Sequence, residues 1–383
     1  MQSILLFTYI VWTWQYARAE DPSVLNPFAP FTIWEKSRNA SCDTFHGCLT
    51  MEDREVYLDP TSRDIPCGFM APSDLDKVRS YFQKDYKCKI VVYTVIFGAW
   101  NYAYNPVSRD NYLIEDDSIC FFLFIDEKTI WNGHGVIDLA PGHKNTPPWL
   151  HSAINGTKTW QFILIRDLNF KTRAHSTKII KLSAPQVFPN ADWLLYVDTK
   201  YVVANDPRNL IRYFKTQTSD NYSLGTFVKF YHSLQQEFRG ARARVTFQSY
   251  QRFKHNDEVQ VAEIHRQEKL YESEGLFKVY SHENKSCIID AAVLIIRNDN
   301  RAKRYFCAWN NEVGMFSRRD QLAFYMVRHR HQMFPYRIWP KEMMGRVNHF
   351  IMDLRGTPEH PPQWDLFNVS NPHPFVLHPS TLP

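Results

Sequence analysis

The chain lacks the short motifs that announce a common hydrolase or nucleotide triphosphatase. Its 383 residues contain no Gly-x-Ser-x-Gly elbow, no His-Glu-x-x-His and no Walker loop. They contain no Cys-x-x-Cys and no paired Cys/His spacing either, which argues against a structural zinc. The 15 histidines form no metal set: His329 and His331 follow a helical stretch, and His349, His373 and His378 lie near the C-terminus. Basic residues are scattered rather than gathered into a stripe, so nucleic acid is not an expected partner. There is no internal repeat and no low-complexity tract.

What is present is a folded globular composition with 27 Phe, 20 Tyr and 11 Trp, a net charge of +5, and ample length for a core. Residues 3–16 form an apolar stretch followed by Ala17-Arg-Ala19, a small-x-small cleavage pattern. Fourteen residues fall short of the ~20 a membrane span needs. The expectation is a signal peptide over residues 1–19, with a short anchor as the alternative and no other stable membrane span. Arg18 leaves with the leader and lowers the net charge by one. Five Asn-x-Ser/Thr sequons, at Asn39, Asn155, Asn221, Asn284 and Asn368, agree with a secreted or Golgi-lumenal chain. Seven cysteines suit an oxidising compartment, with Cys42, Cys48, Cys67 and Cys88 as candidate disulfide partners and no pairing readable from spacing.

Residues 20–87 read as an irregular, disulfide-tied N-terminal region, and residues 345–383 as a Pro-rich irregular tail. Between them, residues 88–344 alternate strand and helix signals. Lys89–Phe97, Cys120–Ile125, Gln161–Arg166, Trp193–Val197 and Cys287–Ile296 read as strands. Helices are expected near Ser176–Val187, after Asp206-Pro207, across residues 233–274, through Phe306–Val313 and after Ser317. That order argues an α/β domain with a mostly parallel central sheet.

Ligands in such sheets bind beyond the carboxyl ends of the strands. Five places carry suitable residues. Phe97-Gly98 follows the first strand, where glycine permits close backbone approach and an aromatic can stack on a base, or where it simply makes a tight strand-to-loop turn. Asp126 ends the second strand, as a ribose or base contact or as a plain exposed acid. Asp198-Thr-Lys200 ends the Trp193–Val197 strand, where many sugar-nucleotide transferases carry Asp-x-Asp to hold a cation against the donor diphosphate. Here Asp198 binds Mn²⁺ or Mg²⁺ with help from elsewhere, Lys200 contacts the diphosphate directly, or the two form a plain salt bridge at a strand end. Asp290 sits inside an apolar run, where a carboxylate is paired, protonated or functional, with Arg297 on the same strand as a candidate partner. Glu312 and the Arg319-Asp320-Gln321 set flank the start of the last helix, as sugar contacts or as helix-end charges.

Together KIVVYTVIFGAW (89–100), CFFLFIDE (120–127), Phe188-Pro-Asn-Ala with WLLYVDTK, Asn205-Asp-Pro207 and AWNNEVGMFSRRDQLAF (308–324) resemble a plant-type glycosyltransferase-like family. That family includes mucilage-related hexosyltransferases and a turgor-regulation protein described as an alkaline ceramidase. The resemblance covers roughly residues 88–330, in the family's order. It implies a GT-A-like fold, a nucleotide-sugar donor, a glycan or glycoconjugate acceptor and a lumenal setting. By residue, it implies donor contacts at Phe97, Gly98, Asp126, Lys178, Lys181, Asp198, Lys200, Arg297 and Arg319. With the residue reading of Asp290, it gives chemistry or acceptor contacts at Asp290, Glu312, Asp320 and Gln321. The family pattern at residue 198 is itself Asp-x-Lys, so Lys200 is not a local lapse. Pro185-Gln186 replaces a family His-Arg, Asp290 stands for a family Glu, and His232 and Glu237 match loosely. A lipid-amide hydrolase and a catalytically silent glycan-binding relative are the alternative functions.

Overall fold

The computed structural model describes residues 49–62, 65, 73–85, 87–98, 118–127, 129, 160–166, 173–199, 201–203, 206–218, 222–229, 234–252, 256–282, 288–333 and 335–338, with short strands at 33–34, 67–70, 103–104, 139–140, 150–153, 351–353 and 374–375. The proposed leader, the five sequon asparagines and Lys200 lie outside the described residues.

The strands of the main sheet are β1 (Ile90–Ile96), β2 (Ile119–Asp126), β3 (Leu139–Ala140), β4 (Leu150–Ala153), β5 (Trp160–Ile165), β6 (Trp193–Val197), β7 (Leu224–Lys229), β8 (Ile288–Arg297) and β9 (Tyr336–Ile338). Among the described residues they lie in the order β9-β7-β8-β6-β1-β2-β5-β4-β3. Strands β6, β1, β2 and β5 pair in parallel at the centre. Only β8 and β4 run against the rest of this sheet. The α/β reading with a mostly parallel sheet therefore stands.

The central strands are apolar on both faces because both faces are covered. Val91, Tyr93, Phe122, Phe124, Leu194 and Tyr196 point to one core. Their neighbours Val92, Phe121, Leu123, Leu195 and Val197 point to the other. The first core is roofed by α3 (Arg173–Val187), α8 (Asn300–Met315) and α9 (Asp320–His331). The second is closed by α4 (Pro207–Gln217), through Leu210, Ile211 and Phe214. Asp206 caps α4 by accepting from the Arg208 amide, with proline in the first turn as expected. Three helices, α5 (Leu234–Arg252), α6 (Asn256–Ser273) and α7 (Leu276–His282), fill the long polar stretch between β7 and β8.

The N-terminal region differs from expectation. It holds two helices, α1 (Met51–Leu58) and α2 (Asp74–Asp85). Helix α1 starts with a capping box in which Thr50 and Asp53 bond each other's backbone amides. Its buried face carries Arg54 beside Tyr57 and Leu58, so the apolar period that marks a helix is broken by a charge. In the tail, residues 351–353 pair with 201–203 and residues 374–375 with 103–104. A disulfide joins Cys88, just ahead of β1, to Cys120 in β2, with 5.7 Å between the Cα atoms. One of the four N-terminal cysteines thus pairs with a sheet cysteine rather than within its own segment.

Candidate active site

The carboxyl end of β6 meets the amino end of the reversed strand β8. There the ladder between β7 and β8 breaks: Thr226 lies opposite Leu294, but Phe227 lies opposite Asp290. Ala291, Ala292 and Val293 bulge away from β7, a device common beside functional sites. Their carbonyls are then available for other donors. The Val293 carbonyl accepts the Thr226 hydroxyl at 3.1 Å, and the Ala292 carbonyl accepts the Asp198 amide at 2.8 Å. The Ala291 carbonyl accepts the Lys181 ammonium. Small side chains at 291 and 292 are what allow Lys181 this approach.

Lys181 comes from α3 and is buried to 1% exposure, with Nζ 2.6 Å from Asp320 Oδ2 and 4.7 Å from the Tyr196 ring centre. Lys178, one turn earlier and 28% exposed, lies 3.4 Å from the same oxygen. Burial lowers Lys181 to about 8, although Asp320 and the more distant Asp198 pull it the other way. Burial opposes the charged form of Asp320, yet Lys178 and Lys181 outweigh it and hold the carboxyl below its usual range. Burial, then Asp198 and Asp320, push the Tyr196 hydroxyl well above its ordinary value. Asp198 and Asp320, 122 positions apart in sequence, therefore act on one lysine and one tyrosine.

Arg319 precedes α9, and its buried Nε is without a hydrogen-bond partner. Burial, then Arg244 and Arg318, push its guanidinium down from the ordinary value. Gln321 donates from Nε2 to the Ile289 carbonyl at 3.4 Å, next to Asp290, which is half-buried. Lys178 and Lys181 thus share the single carboxylate of Asp320, and the partly exposed Lys178 is placed to take an anionic ligand beside it.

Five expected site residues are placed elsewhere. Phe97 is 4% exposed and packs in the core, so its ring is not presented to a base. Asp126 accepts from the Gly98 amide at 3.0 Å and from the Thr129 amide at 2.8 Å, tying two strand ends together. Gly98 itself has φ of 78°, the left-handed turn that favours glycine. Arg297 does not pair with Asp290. Seven residues of strand, about 23 Å, separate them, and Arg297 Nε donates to Asp299 at 2.9 Å, at the opposite end of β6 from Asp198. Glu312 is fully buried inside the helical layer. It accepts from Arg54 Nη2 at 2.9 Å, Tyr57 at 2.6 Å and Tyr271 at 2.8 Å, a structural junction rather than a reactive group.

Sequence reading passed over Tyr196 and the bulged carbonyls. A tyrosine in a five-residue buried strand was a signal for the first. Nothing in the residue pattern marks the second. As for a divalent cation, no group of three or more His, Cys, Asp or Glu among the described residues is placed to hold one. The carboxylate that shares Lys181 with Asp198 is itself held by two ammonium groups. Among the described residues this donor set does not fit a cation held by protein ligands alone.

The chain is 24% identical over 341 residues to probable hexosyltransferase MUCI70 of Arabidopsis thaliana, covering 82% of this chain and 53% of that one. It is 26% identical over 302 residues to alkaline ceramidase TOD1 of the same plant, covering 76% and 59%. It therefore spans little more than half the length of these curated relatives. The crystal structure of mouse xyloside xylosyltransferase 1 overlaps 72% of this chain and 99% of that one, at 8% identity and a TM-score of 0.32. Such a loose overlap says nothing about site or substrate. Residues 32–348 match the TOD1/MUCI70 glycosyltransferase-like domain, and the chain belongs to that family.

Proposed function

We propose that this chain transfers a sugar from a nucleotide-activated donor to a glycan or glycoconjugate acceptor in the lumen of the secretory pathway. The observation that carries the reading is the Lys178–Lys181–Asp320 cluster beside Asp198, at the carboxyl end of a parallel strand. A leaving nucleoside diphosphate develops negative charge, and fixed cations in a partly dry site stabilise it strongly. Lys178 is accessible enough to leave Asp320 for a phosphate, while Lys181 stays buried and holds Asp320 in place. Lys200, two residues past Asp198, is assigned to the diphosphate with it. Asp290, Gln321 and Arg319 are assigned to the transferred sugar or the acceptor. The Cys88–Cys120 disulfide, the five sequons and the apolar leader support an oxidising lumen. No helix among the described residues is long and apolar enough to cross a membrane.

The test is a panel of UDP- and GDP-sugars offered to the purified chain, with Mn²⁺ or with EDTA, read by donor hydrolysis, transfer and thermal shift. Donor binding is expected to survive EDTA and to weaken about tenfold or more in Lys178→Ala and Lys200→Ala. No response to any donor would sink the proposal. Ceramide cleavage by a protein indifferent to every nucleotide sugar would replace it with the hydrolase reading.

A further inference from the structure

At the opposite end of β6 from Asp198 the chain forms an open cavity of about 710 Å³. It lies where the loop before β6, the end of α4, the start of β7 and the end of β8 converge. None of the residues assigned to the transfer chemistry reaches it. Its aromatic side is the partly buried Tyr222 and the rim of Trp193, whose ring packs edge to face at 5.8 Å on the fully buried Phe214. Lys215, exposed on the last turn of α4, lies 5.2 Å from the centre of the Trp193 ring. A flexible ammonium over an indole is held only weakly at an exposed site, so a ligand can displace it.

The polar lining is balanced in charge. Lys215 and Arg297 are matched by Asp192 and Asp299, and Arg297 is already engaged with Asp299. A nucleoside diphosphate would gain no net attraction here, in contrast to the cluster around Lys181. Asn298, 7% exposed, lines the floor. Its Nδ2 donates to the Phe188 and Ala191 carbonyls at 2.8 and 2.9 Å, while its Oδ1 has no partner. A buried acceptor left unpaired is costly. That cost is removed by a small hydroxyl donor pressed into the floor. Tyr222, an indole beneath a displaceable lysine, balanced charges and an unpaired acceptor together describe a neutral, hydroxyl-rich ligand.

We infer that this cavity is a second carbohydrate site, one that holds a neutral oligosaccharide away from the transfer centre. Its ligand class is argued from its own lining and does not depend on the donor chemistry proposed above. The full chain would be titrated with cellohexaose, mannohexaose and xylohexaose, followed by tryptophan fluorescence and saturation-transfer NMR. At least one is expected to bind, with affinity falling tenfold or more in Tyr222→Ala. Lys215→Ala should tighten binding several-fold by uncovering the indole. UDP binding should be unchanged in both variants, which separates failure of this site from failure of the donor reading. Oligosaccharide binding indifferent to Tyr222 and Lys215, or no binding at millimolar concentration, would overturn the inference. So would UDP competing with a bound hexasaccharide for these residues.

Discussion

Lys181 is the residue at which burial and charge compete most directly. It is sealed in the core yet charged, and Asp320 is the group that makes this tolerable. Asp320→Asn should therefore cost about 3–5 kcal/mol of unfolding free energy, because it leaves a buried ammonium uncompensated. Urea denaturation measures this, and a loss below about 1 kcal/mol would show that the pair is not coupled as described. The folded lysine gives up its proton near pH 8, whereas an exposed one keeps it to about 10.5. Between those values the unfolded chain binds more protons, so this lysine's contribution to stability rises with pH. Ligand binding should move the other way. Affinity for UDP, followed calorimetrically from pH 7 to 9.5, is expected to fall above pH 8 as the cluster loses a positive charge; a flat profile would remove Lys181 from the donor site. Asp198 was legible because charge follows an all-apolar strand so abruptly. The tie between Lys181 and Asp320 was not, because 139 positions separate them and only the fold closes that distance.

Helix α1 shows why an element can be invisible in sequence. Its inward face mixes a buried ion with Tyr57 and Leu58, Arg54 bridging Glu312 of α8 and Glu274 just beyond α6. The same network explains why Glu312, placed near the reactive groups by sequence order, serves architecture instead. Glu312→Gln should lower stability by about 3–5 kcal/mol by leaving the Arg54 guanidinium buried with half its partners. The turnover of whatever fraction remains folded should match wild type. A catalytic loss of a hundredfold or more in well-folded Glu312→Gln protein would reverse this assignment. Strands β1, β2, β5, β6 and β8 were legible to within a residue or two, since uninterrupted β-branched and aromatic runs of that length need cover on both sides. Strand β7 was missed: LGTFVK is short and mixed, and it is a strand because β8 and β9 flank it.

Across the whole molecule, stability should respond to redox state and to acid. The Cys88–Cys120 bond closes a loop of 32 positions, which in the chain-entropy account contributes about 3–4 kcal/mol. Replacing both cysteines by alanine should lower the melting temperature accordingly, and an unchanged value would mean that the bond is idle. His331 joins the end of α9 to α1 by donating to the Tyr57 carbonyl at 2.9 Å. Burial, together with Arg304, holds it down at about 4 against an ordinary 6.5. The unfolded chain therefore takes up a proton first on acidification, and stability is lost as pH falls from about 6.5 toward 4. His331→Gln, which keeps a donor for Tyr57, should flatten the melting-temperature profile across that window. The bulge in β8 reaches furthest of all. Residues 291–293 stand opposite no residue of β7 although β8 lies inside the sheet, so amides there lose ladder partners on that side. In a hydrogen–deuterium exchange map, residues 290–293 should be a fast-exchanging notch in an otherwise slow strand. A bound donor should slow that notch before it slows anything else.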